Sequence, residues 1–300
     1  MVVTKRIGVI GLGRMGFGIA KNLMNRDYDV IGYDISSEAQ ERFQEIGGRT
    51  VNSCVDAAKN ADALILVVFD AAQVEDVLFA KGAADVMKAG SQVIVMSSVG
   101  KKVVEAAAPK LAERGIGLVD APMKGSAKDA CCGNLYLMVA ASQEALKEAD
   151  ALLNSMGSVV CVVGDKPGMG QMVKTCVQTF FCLACEGACE IMALAKATGL
   201  DEKTVYNVLA STGAASEVFK TTARFIGSRC FQGTGNPISI LRKDLAVALD
   251  ISEDCGLSIP AVNGTAANIT LASDQYPDDD IWAAARPVEA SADIEIRMEL

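Results

Sequence analysis

The stretch that decides the fold lies near the start of the chain, where residues 6–16 read RIGVIGLGRMG. Residues 7–10 form an apolar run of the length that a buried strand needs, and residues 17–24 continue with helical spacing. Between them, glycines 11, 13 and 16 fit the pattern G-x-G-x-x-G. The sequence therefore predicts a strand, a tight glycine turn and a helix in direct succession.

Each glycine of this turn has a separate physical role. Gly11 permits a tight turn, Gly13 lets backbone amides approach a diphosphate, and Gly16 lets the helix pack closely on the strand. A diphosphate would then lie at the positive end of the helix dipole, as in dinucleotide-binding proteins. The residues predicted to bind it are Gly11, Leu12, Gly13, Arg14, Met15 and Gly16.

A second apolar run, residues 30–33, ends in Asp34, 18 residues after Gly16. An acid at this position can accept hydrogen bonds from the ribose hydroxyls of NAD and would repel the 2′-phosphate of NADP. The sequence therefore predicts NAD in preference to NADP. The alternative for Asp34 is an ordinary solvated acid at the end of a strand.

Composition disfavours several other classes of protein. The 300 residues carry a formal net charge of −9, which argues against a nucleic-acid surface but not against a locally basic pocket for a small anion. Since no run of 18 residues lacks polar groups, we expect no membrane span. The ten cysteines, without a signal-peptide pattern, are typical of reduced thiols in a cytoplasmic protein. We expect surplus apolar surface to form a subunit interface.

Histidine is absent from the chain. Its absence excludes histidine-dependent triads, histidine metal ligands and a histidine general base. Any proton transfer must therefore fall to Lys, Tyr, Cys, Asp or Glu.

Two patterns divide the chain. Up to residue 164, short apolar runs alternate with helix-like segments, which predicts a mostly parallel sheet covered by helices. From Gly168 a single helix is predicted to about Ala197, and Asp201 is predicted to cap the next helix. The predicted strands are 6–10, 29–33, 63–68, 92–96, 116–119, 135–140 and 158–163, and the later helices are 215–227 and 239–255.

We therefore predict an α/β fold with a Rossmann-type dinucleotide-binding domain over residues 1–164. A long inter-domain helix would lead into an all-helical domain, residues 165–300, for substrate binding and oligomerisation. The acidic segments 278–280 and 291–300 are expected to be loosely held.

Candidate chemistry lies near the start of the long helix. Gln171, Lys174 and Gln178 are spaced i, i+3 and i+7, so they share one face. If that face is buried beside a nicotinamide ring, desolvation would lower the pKa of Lys174, and the lysine could donate a proton to a carbonyl oxygen while hydride arrives. Gln178 could hold the substrate hydroxyl. From spacing alone, a surface lysine on an amphipathic helix is the commoner alternative.

Two further segments follow predicted strands, at the edge where open α/β sheets bind ligands. Residues 120–126 read DAPMKGS, in which Lys124 offers a positive charge for a carboxylate. Gly125 and Ser126 offer amides and a hydroxyl, and Ser98 ends a strand on the presumed cofactor edge. The alternative for this segment is a simple turn, because Pro and Gly mark turns in any case.

The order of these elements resembles the β-hydroxyacid dehydrogenase family, which includes 3-hydroxyisobutyrate dehydrogenase and the tartronate and succinic semialdehyde reductases. Residues 8–16 resemble its cofactor fingerprint, and residues 120–126 its D-A-P-x-S-G-G substrate segment. Residues 170–178 resemble its G-x-x-x-K-x-x-x-N catalytic segment, and residues 243–245 its late K-D-L element. The resemblance runs over residues 6–285, nearly the whole chain.

The resemblance implies an NAD(P)-dependent dehydrogenase that transfers hydride between a nicotinamide and a small 3-hydroxy acid or aldehyde acid. It implies that Lys174 is the general acid/base and that Ser98 lies near the nicotinamide and the substrate. It also implies that residues 124–126 hold the substrate carboxylate and that Lys243 approaches the cofactor. An active site between two domains, and a homodimer or homotetramer packed through the helical half, are further implications. Without the resemblance, a lysine–acid pair such as Lys243-Asp244 is usually just solvated.

Two departures from the family pattern affect the predicted substrate pocket. Lys124 stands where the family has Ser, and Gln178 stands where it has Asn, which is one methylene shorter. The added positive charge predicts a substrate with more negative charge or polarity than hydroxyisobutyrate, such as a dicarboxylate semialdehyde. Two alternatives stay open: an imine reductase-like enzyme, in which the lysine is usually replaced, and a catalytically silent NAD-binding sensor.

Three cysteines, Cys182, Cys185 and Cys189, lie at i, i+3 and i+7 on the long helix. Three thiolates on one face could bind zinc. The same stripe is typical of a packed helix in which Cys acts as a small hydrophobe. We favour packing and predict no metal site.

Overall fold

The computed structural model describes residues 5–298, and the chain divides after Lys174 into two compact units. The first unit contains a nine-stranded sheet. Its strands are β1 (Arg6–Ile10), β2 (Asp29–Tyr33), β3 (Arg49–Thr50), β4 (Ala63–Leu66), β5 (Gln92–Val95), β6 (Gly117–Asp120), β7 (Met123–Lys124), β8 (Leu135–Ala141) and β9 (Gly157–Gly164).

The strand order is β3-β2-β1-β4-β5-β6-β8-β7, with β9 paired to β8. Strands β1 to β6 are mutually parallel, and β6 and β7 each pair antiparallel with β8. The order 3-2-1-4-5-6 is that of a doubly wound sheet, which confirms the predicted Rossmann-type fold. Because parallel strands end at the same edge, the segments that follow β1, β4, β5 and β6 all lie along one edge of the sheet.

The central strands read as continuous apolar runs because both faces of the sheet are covered. Every residue of β4 and β5 is buried. One hydrophobic cluster contains Ile7, Ile65 and Ile94. Another contains Leu64 and other side chains of the same strands that point to the opposite face of the sheet. The alternation of side chains along a strand places these two sets on opposite faces.

Helices of the first unit cover its sheet, and the second unit consists mainly of helices. They are α1 (Arg14–Met24), α2 (Ser37–Glu45), α3 (Cys54–Ala58), α4 (Ala71–Glu75), α5 (Lys101–Ala112), α6 (Ala127–Cys132), α7 (Gln143–Met156), α8 (Met169–Ala197), α9 (Glu202–Ala210), α10 (Glu217–Gly227), α11 (Ser239–Asp254), α12 (Pro260–Gln275) and α13 (Ala285–Ala290). The predicted long helix is α8, and Asp201 caps α9 by accepting a hydrogen bond from the N–H of Thr204 at 2.8 Å. Within residues 165–298 no strand is present apart from an isolated bridge between Pro237 and Asp280.

By length and mean hydropathy alone, α8 could cross a membrane, and 39% of its most apolar window is buried. Its buried stripe lies in the core of the second unit, where Cys182, Cys185, Cys189 and Met192 pack with residues of the later helices. The apolar character of α8 is therefore used, on this side, for packing within the protein.

The expectation that the acidic tail is loosely held was wrong. Asp279 and Asp280 are each 5% exposed, and Ile296 and Met298 are buried in the core of the second unit. The carboxylate of Asp280 accepts hydrogen bonds from two backbone N–H groups of the loop 234–236, at 2.6 and 3.0 Å. An acidic composition predicted solvation, but backbone donors satisfy this carboxylate inside the protein. Residues 299–300 lie outside the described part of the chain.

Candidate active site

The glycine turn after β1 has the tight packing that its pattern predicted. Gly11 has a φ of +94°, and a Cβ there would lie 2.2 Å from the backbone oxygen of Val67. A Cβ on Gly16 would lie 1.8 Å from the backbone oxygen of Gly11. Neither position has room for a side chain, so the turn and the start of α1 require glycine at both.

Gly13 differs from its two neighbours because a Cβ there would meet nothing within 4 Å. It is the N-cap residue of α1, which has no side-chain cap and no acidic residue in its first turn. Open space in front of a positive helix end fits a diphosphate group, whose oxygens the helix dipole and backbone amides would attract. The residues present therefore fit a dinucleotide at this turn.

Asp34 braces the glycine turn. Its Oδ2 accepts a hydrogen bond from the N–H of Leu12 at 2.6 Å, and its Oδ1 accepts one from the N–H of Ser36 at 2.8 Å. Arg42 Nη2 donates to the backbone oxygen of Leu12 at 2.9 Å. The alternative of a merely solvated acid was therefore wrong. Each carboxylate oxygen keeps acceptor capacity for a second donor, such as a ribose hydroxyl.

The segment after β5 contains two serines in different environments. Ser97 is buried, and its Oγ accepts from the N–H of Val68 at 2.8 Å and donates to the backbone oxygen of Leu66 at 3.3 Å. It therefore joins the ends of β4 and β5. Ser98 is half-buried and lies next along the same edge of the sheet, on the side predicted to receive the cofactor.

Lys174 lies on the second turn of α8 and is only 8% exposed. Gln171, three residues earlier on the same face, is 1% exposed. The backbone N–H of Gln171 donates to Asp120 at the end of β6, so α8 starts at the edge of the sheet where the glycine turn lies. The alternative of a surface lysine on an amphipathic helix was therefore wrong.

The predicted substrate segment uses part of its hydrogen-bonding capacity internally. Gly125 has a φ of +146°, which favours glycine. Ser126 caps α6, and both its N–H and its hydroxyl donate to Asp129 Oδ2, at 2.7 and 2.6 Å. These bonds lower the pKa of Asp129. Lys124 is exposed on β7, opposite Tyr136, and within residues 5–298 its ammonium makes no hydrogen bond or ion pair.

Gly18 is a packing residue behind the glycine turn that the sequence did not predict. It lies on α1 against α6, and a Cβ there would come within 2.8 Å of the Ala130 Cβ and 3.0 Å of the Ala127 oxygen. The helix behind the glycine turn thus packs against α6, which begins directly after the predicted substrate segment. A fourth glycine two residues after G-x-G-x-x-G was the available signal.

In the second unit, Gln178 Nε2 donates to Asp244 Oδ2 at 2.7 Å. Asp244 is 6% exposed, and its Oδ1 lies 3.6 Å from Lys243 Nζ. The commoner interpretation of such a pair, two solvated side chains, is therefore wrong for Lys243 and Asp244. Asp244 fixes the orientation of the Gln178 amide. The sequence signal for Asp244 was the K-D-L element.

The three cysteines of α8 are buried among the apolar residues of the second unit. Burial raises the pKa of each thiol, and the Sγ of Cys185 accepts a hydrogen bond from Thr222 Oγ1 at 3.4 Å. A raised pKa disfavours the thiolate that zinc requires. Within residues 5–298 no group of three or more Cys, Asp or Glu side chains is arranged to hold a metal ion.

Comparison with known proteins agrees with this geometry. Residues 6–164 match the NAD-binding domain of 6-phosphogluconate dehydrogenase, and residues 168–288 match the NAD-binding family of NADP-dependent 3-hydroxyisobutyrate dehydrogenase. L-threonate dehydrogenase from Cupriavidus necator is 32% identical over 262 residues, which cover 86% of this chain and 87% of the relative. The chain belongs to the β-hydroxyacid dehydrogenase family.

Two further relatives support the same assignment. Human mitochondrial 3-hydroxyisobutyrate dehydrogenase is 32% identical over 81% of this chain and 74% of its own. A crystal structure of 3-hydroxyisobutyrate dehydrogenase from Salmonella typhimurium superimposes with a TM-score of 0.84 at 26% identity, covering 94% of this chain and 99% of that one. The protein is thus an NAD(P)-dependent oxidoreductase of the 3-hydroxyacid dehydrogenase type, and a small hydroxyacid substrate follows from the family.

The departures of this β-hydroxyacid dehydrogenase from its family pattern lie at two sites. In the substrate segment, an exposed lysine stands at position 124, and Ser126 binds Asp129. On α8, the longer side chain of Gln178 is anchored by Asp244. Both changes affect polar groups.

Proposed function

We propose that this dehydrogenase interconverts a small 3-hydroxy acid and the corresponding aldehyde acid, with Lys174 as the general acid/base. The observation that supports the proposal best is the burial of Lys174 directly after a helix start that is hydrogen-bonded to the carboxyl end of β6. A lysine removed from water on the second turn of such a helix has a defined position relative to the edge of the sheet.

A nicotinamide dinucleotide bound at the glycine turn would supply or accept the hydride. In the direction of reduction, the Lys174 ammonium donates a proton to the aldehyde oxygen, and solvent then restores the proton to the neutral amine. In the direction of oxidation, the neutral amine accepts the proton of the hydroxyl group. Gln178, one turn later on α8, holds this hydroxyl, and Asp244 fixes the orientation of its amide.

The substrate is proposed to carry more negative charge or more polar groups than hydroxyisobutyrate. Lys124 brings a positive charge to the substrate segment and has no protein partner within residues 5–298, whereas the N–H and hydroxyl of Ser126 are already bound by Asp129. An anionic or polyhydroxylated acid would satisfy the ammonium, and the similarity to L-threonate dehydrogenases supports a polar substrate. Unchanged relative rates on mono- and dianionic substrates in Lys124→Ser would contradict this specificity.

NAD is proposed as the preferred cofactor because Asp34 stands at the end of β2. Its carboxylate is held next to the glycine turn by the N–H of Leu12. A fixed negative charge there would attract ribose hydroxyls as an acceptor and repel a 2′-phosphate.

A homodimer or homotetramer formed through the helical unit is also proposed. Phe180, Ile191 and Leu194 lie on α8 with 70%, 44% and 59% of their surface exposed. Between them, a Cβ on Gly187 would meet nothing within 4 Å. These side chains form an apolar stripe of helical spacing, which a second copy of the chain would cover.

The experiment follows oxidation of NADH and of NADPH with methylmalonate, succinate and tartronate semialdehydes, and reduction of NAD with L-threonate. Lys174→Ala is compared with wild type and with Lys203→Ala, an exposed lysine on α9. Turnover that is lost only in Lys174→Ala is expected. Tight NADH binding without turnover on any substrate would favour the sensor, and turnover of a cyclic imine that survives in Lys174→Ala would favour an imine reductase.

A further inference from the structure

The side chain of Gln171 is held by hydrogen bonds at the edge of the sheet. Its Nε2 donates to the backbone oxygen of Ser97 at 3.0 Å and to Asp120 Oδ1 at 2.9 Å. Its Oε1 accepts from the N–H groups of Val99 and Gly100, at 2.9 and 3.2 Å. Gln171 is 1% exposed, so loss of its amide would leave these groups buried without that partner.

Asp120 completes this arrangement from the end of β6. Its Oδ2 accepts from the N–H groups of Gly168 and Gln171, at 2.9 and 3.1 Å. A carboxylate is favourable at this position because the N-terminus of α8 carries a partial positive charge. Asp120 is 0% exposed. The Asp120–Gln171 pair therefore binds the start of α8 to the ends of both β5 and β6.

Gly170 shows how closely α8 approaches the sheet. A Cβ at this position would lie 2.6 Å from the backbone oxygen of Met138 and 3.0 Å from the Cγ of Asp120. The backbone of β8 cannot move aside easily, so only glycine fits. The first turn of α8 is fixed by packing as well as by hydrogen bonds, and Lys174 follows one turn after Gly170.

From this geometry we propose that Asp120 and Gln171 are positioning residues for the reaction. They hold the turn of α8 that precedes Lys174 and the segment 97–100, which contains Ser98, in one fixed arrangement. This inference rests on the proposed role of Lys174 as general acid/base. Displacing a reacting group by about 1 Å can lower a rate by about 100-fold, so the pair acts on the proton-transfer step. It does not include the glycine turn, so binding of the dinucleotide's diphosphate is expected to stay unchanged.

A reciprocal exchange tests the pair. In Asp120→Asn, the new amide nitrogen must point either at Gln171 Nε2 or at the N–H groups of α8. In both orientations two hydrogen-bond donors face each other. In Gln171→Glu, two buried carboxyl groups face each other. The double variant again matches one amide donor with one carboxylate acceptor between the two side chains, but it does not restore a donor to the backbone oxygen of Ser97. Each single variant is expected to lose about ten- to a hundred-fold in kcat with a much smaller change in the KM for NADH, and the double variant to recover part of that loss.

The solvent deuterium isotope effect on kcat separates positioning from a loss of folded protein. If proton transfer is slowed, the isotope effect increases in the single variants. Partial unfolding would only lower the number of active sites, counted by fluorescence titration with NADH, and would leave the isotope effect unchanged. Gln143→Glu is the matched control because Gln143 is exposed at the first residue of α7.

Wild-type kcat in both single variants, or a double variant no faster than either single one, would overturn the inference. If the single variants do not fold, Gln171→Asn provides the test, because it keeps the amide but shortens its reach by one methylene and should lower kcat with a raised isotope effect. Lys174→Ala is measured in the same assay. Full turnover in Lys174→Ala refutes the proposed function, whereas its loss beside unaffected pair variants refutes only the positioning role.

Discussion

We expect the helical unit to become less stable as the pH rises, because Glu186 is buried there. Glu186 lies on α8 with 5% of its surface exposed, and its Oε2 accepts a hydrogen bond from Asn268 Nδ2 at 2.9 Å. Burial, with a smaller contribution from Glu190, raises the pKa of its carboxyl group from 4.5 to about 7, while the bond from Asn268 opposes the rise. The folded protein therefore holds a proton that the unfolded chain has already released.

The size of the effect follows from the two pKa values. Between about pH 4.5 and 7 the unfolded chain binds fewer protons at this group than the folded protein, so the free energy of unfolding falls as the pH rises. A rise from 4.5 to about 7 corresponds to ~3 kcal/mol at 1.36 kcal/mol per pH unit. Glu186→Gln removes the ionisation and keeps an acceptor for Asn268. We expect the variant to be more stable than wild type by ~3 kcal/mol at pH 8 and equally stable near pH 4.5.

The single tryptophan provides the assay. Trp282 is 5% exposed in the core of the second unit and stacks on Phe225 with ring centroids 4.6 Å apart, so its fluorescence reports the unfolding of the unit that contains most of α8. Urea unfolding is measured for wild type and Glu186→Gln at pH 5 and pH 8, and other titrating groups cancel in the difference between the two proteins. Glu253→Gln, at an exposed position on α11, is the control. Equal differences between wild type and Glu186→Gln at both pH values would refute the reasoning.

Three further predictions concern other parts of the fold. Gly18→Ala should raise the KM for the substrate several-fold more than that for NADH, because its Cβ would come within 2.8 Å of the Ala130 Cβ and displace α6. Asp280→Ala should lower the free energy of unfolding by ~2 kcal/mol, measured with urea, because two N–H groups of the loop 234–236 lose a charged acceptor. Asp34→Ser should raise the ratio of kcat/KM for NADPH over that for NADH by at least about tenfold.

Each of these predictions has an outcome that contradicts it. An unchanged KM for the substrate in Gly18→Ala would mean that α6 does not depend on its contact with α1. Wild-type stability of Asp280→Ala would show that water replaces the carboxylate without loss. If Asp34→Ser weakened both cofactors equally, the acid would act only as a brace for the glycine turn.

The fold could largely be predicted from the sequence because its strands and its long helix have strong periodic patterns. Buried parallel strands appear as apolar runs, and α8 contains no proline. The sequence did not predict β3 and β7, because each has two residues and is too short to show any period. Their pairing with longer neighbours, rather than their own composition, keeps them extended.

The candidate site was harder to predict because its polar contacts join distant segments. The Asp120–Gln171 pair is 51 residues apart in sequence, and Gln178 and Asp244 are 66 apart. Periodicity shows which residues share a face of one helix, but not which residues of other elements face them. Ser126 and Asp129, only three residues apart, form a capping box at the start of α6. This is the kind of contact that a local sequence pattern does reveal.

The burial of Lys174 illustrates this limit best. The face of α8 that carries Gln171, Lys174 and Gln178 is polar, and a polar stripe normally marks a solvated side of a helix. Here Gln171 is matched by Asp120 from the end of a strand, and Gln178 by Asp244 from α11. A stripe whose amides are satisfied by carboxylates from elsewhere can be buried at little cost, yet its sequence is the same as that of a solvated stripe. What distinguishes the two is the presence of acids on other elements that accept hydrogen bonds from those amides. The order of the segments 120–126, 170–178 and 243–245 therefore carried more information than the spacing within any one of them.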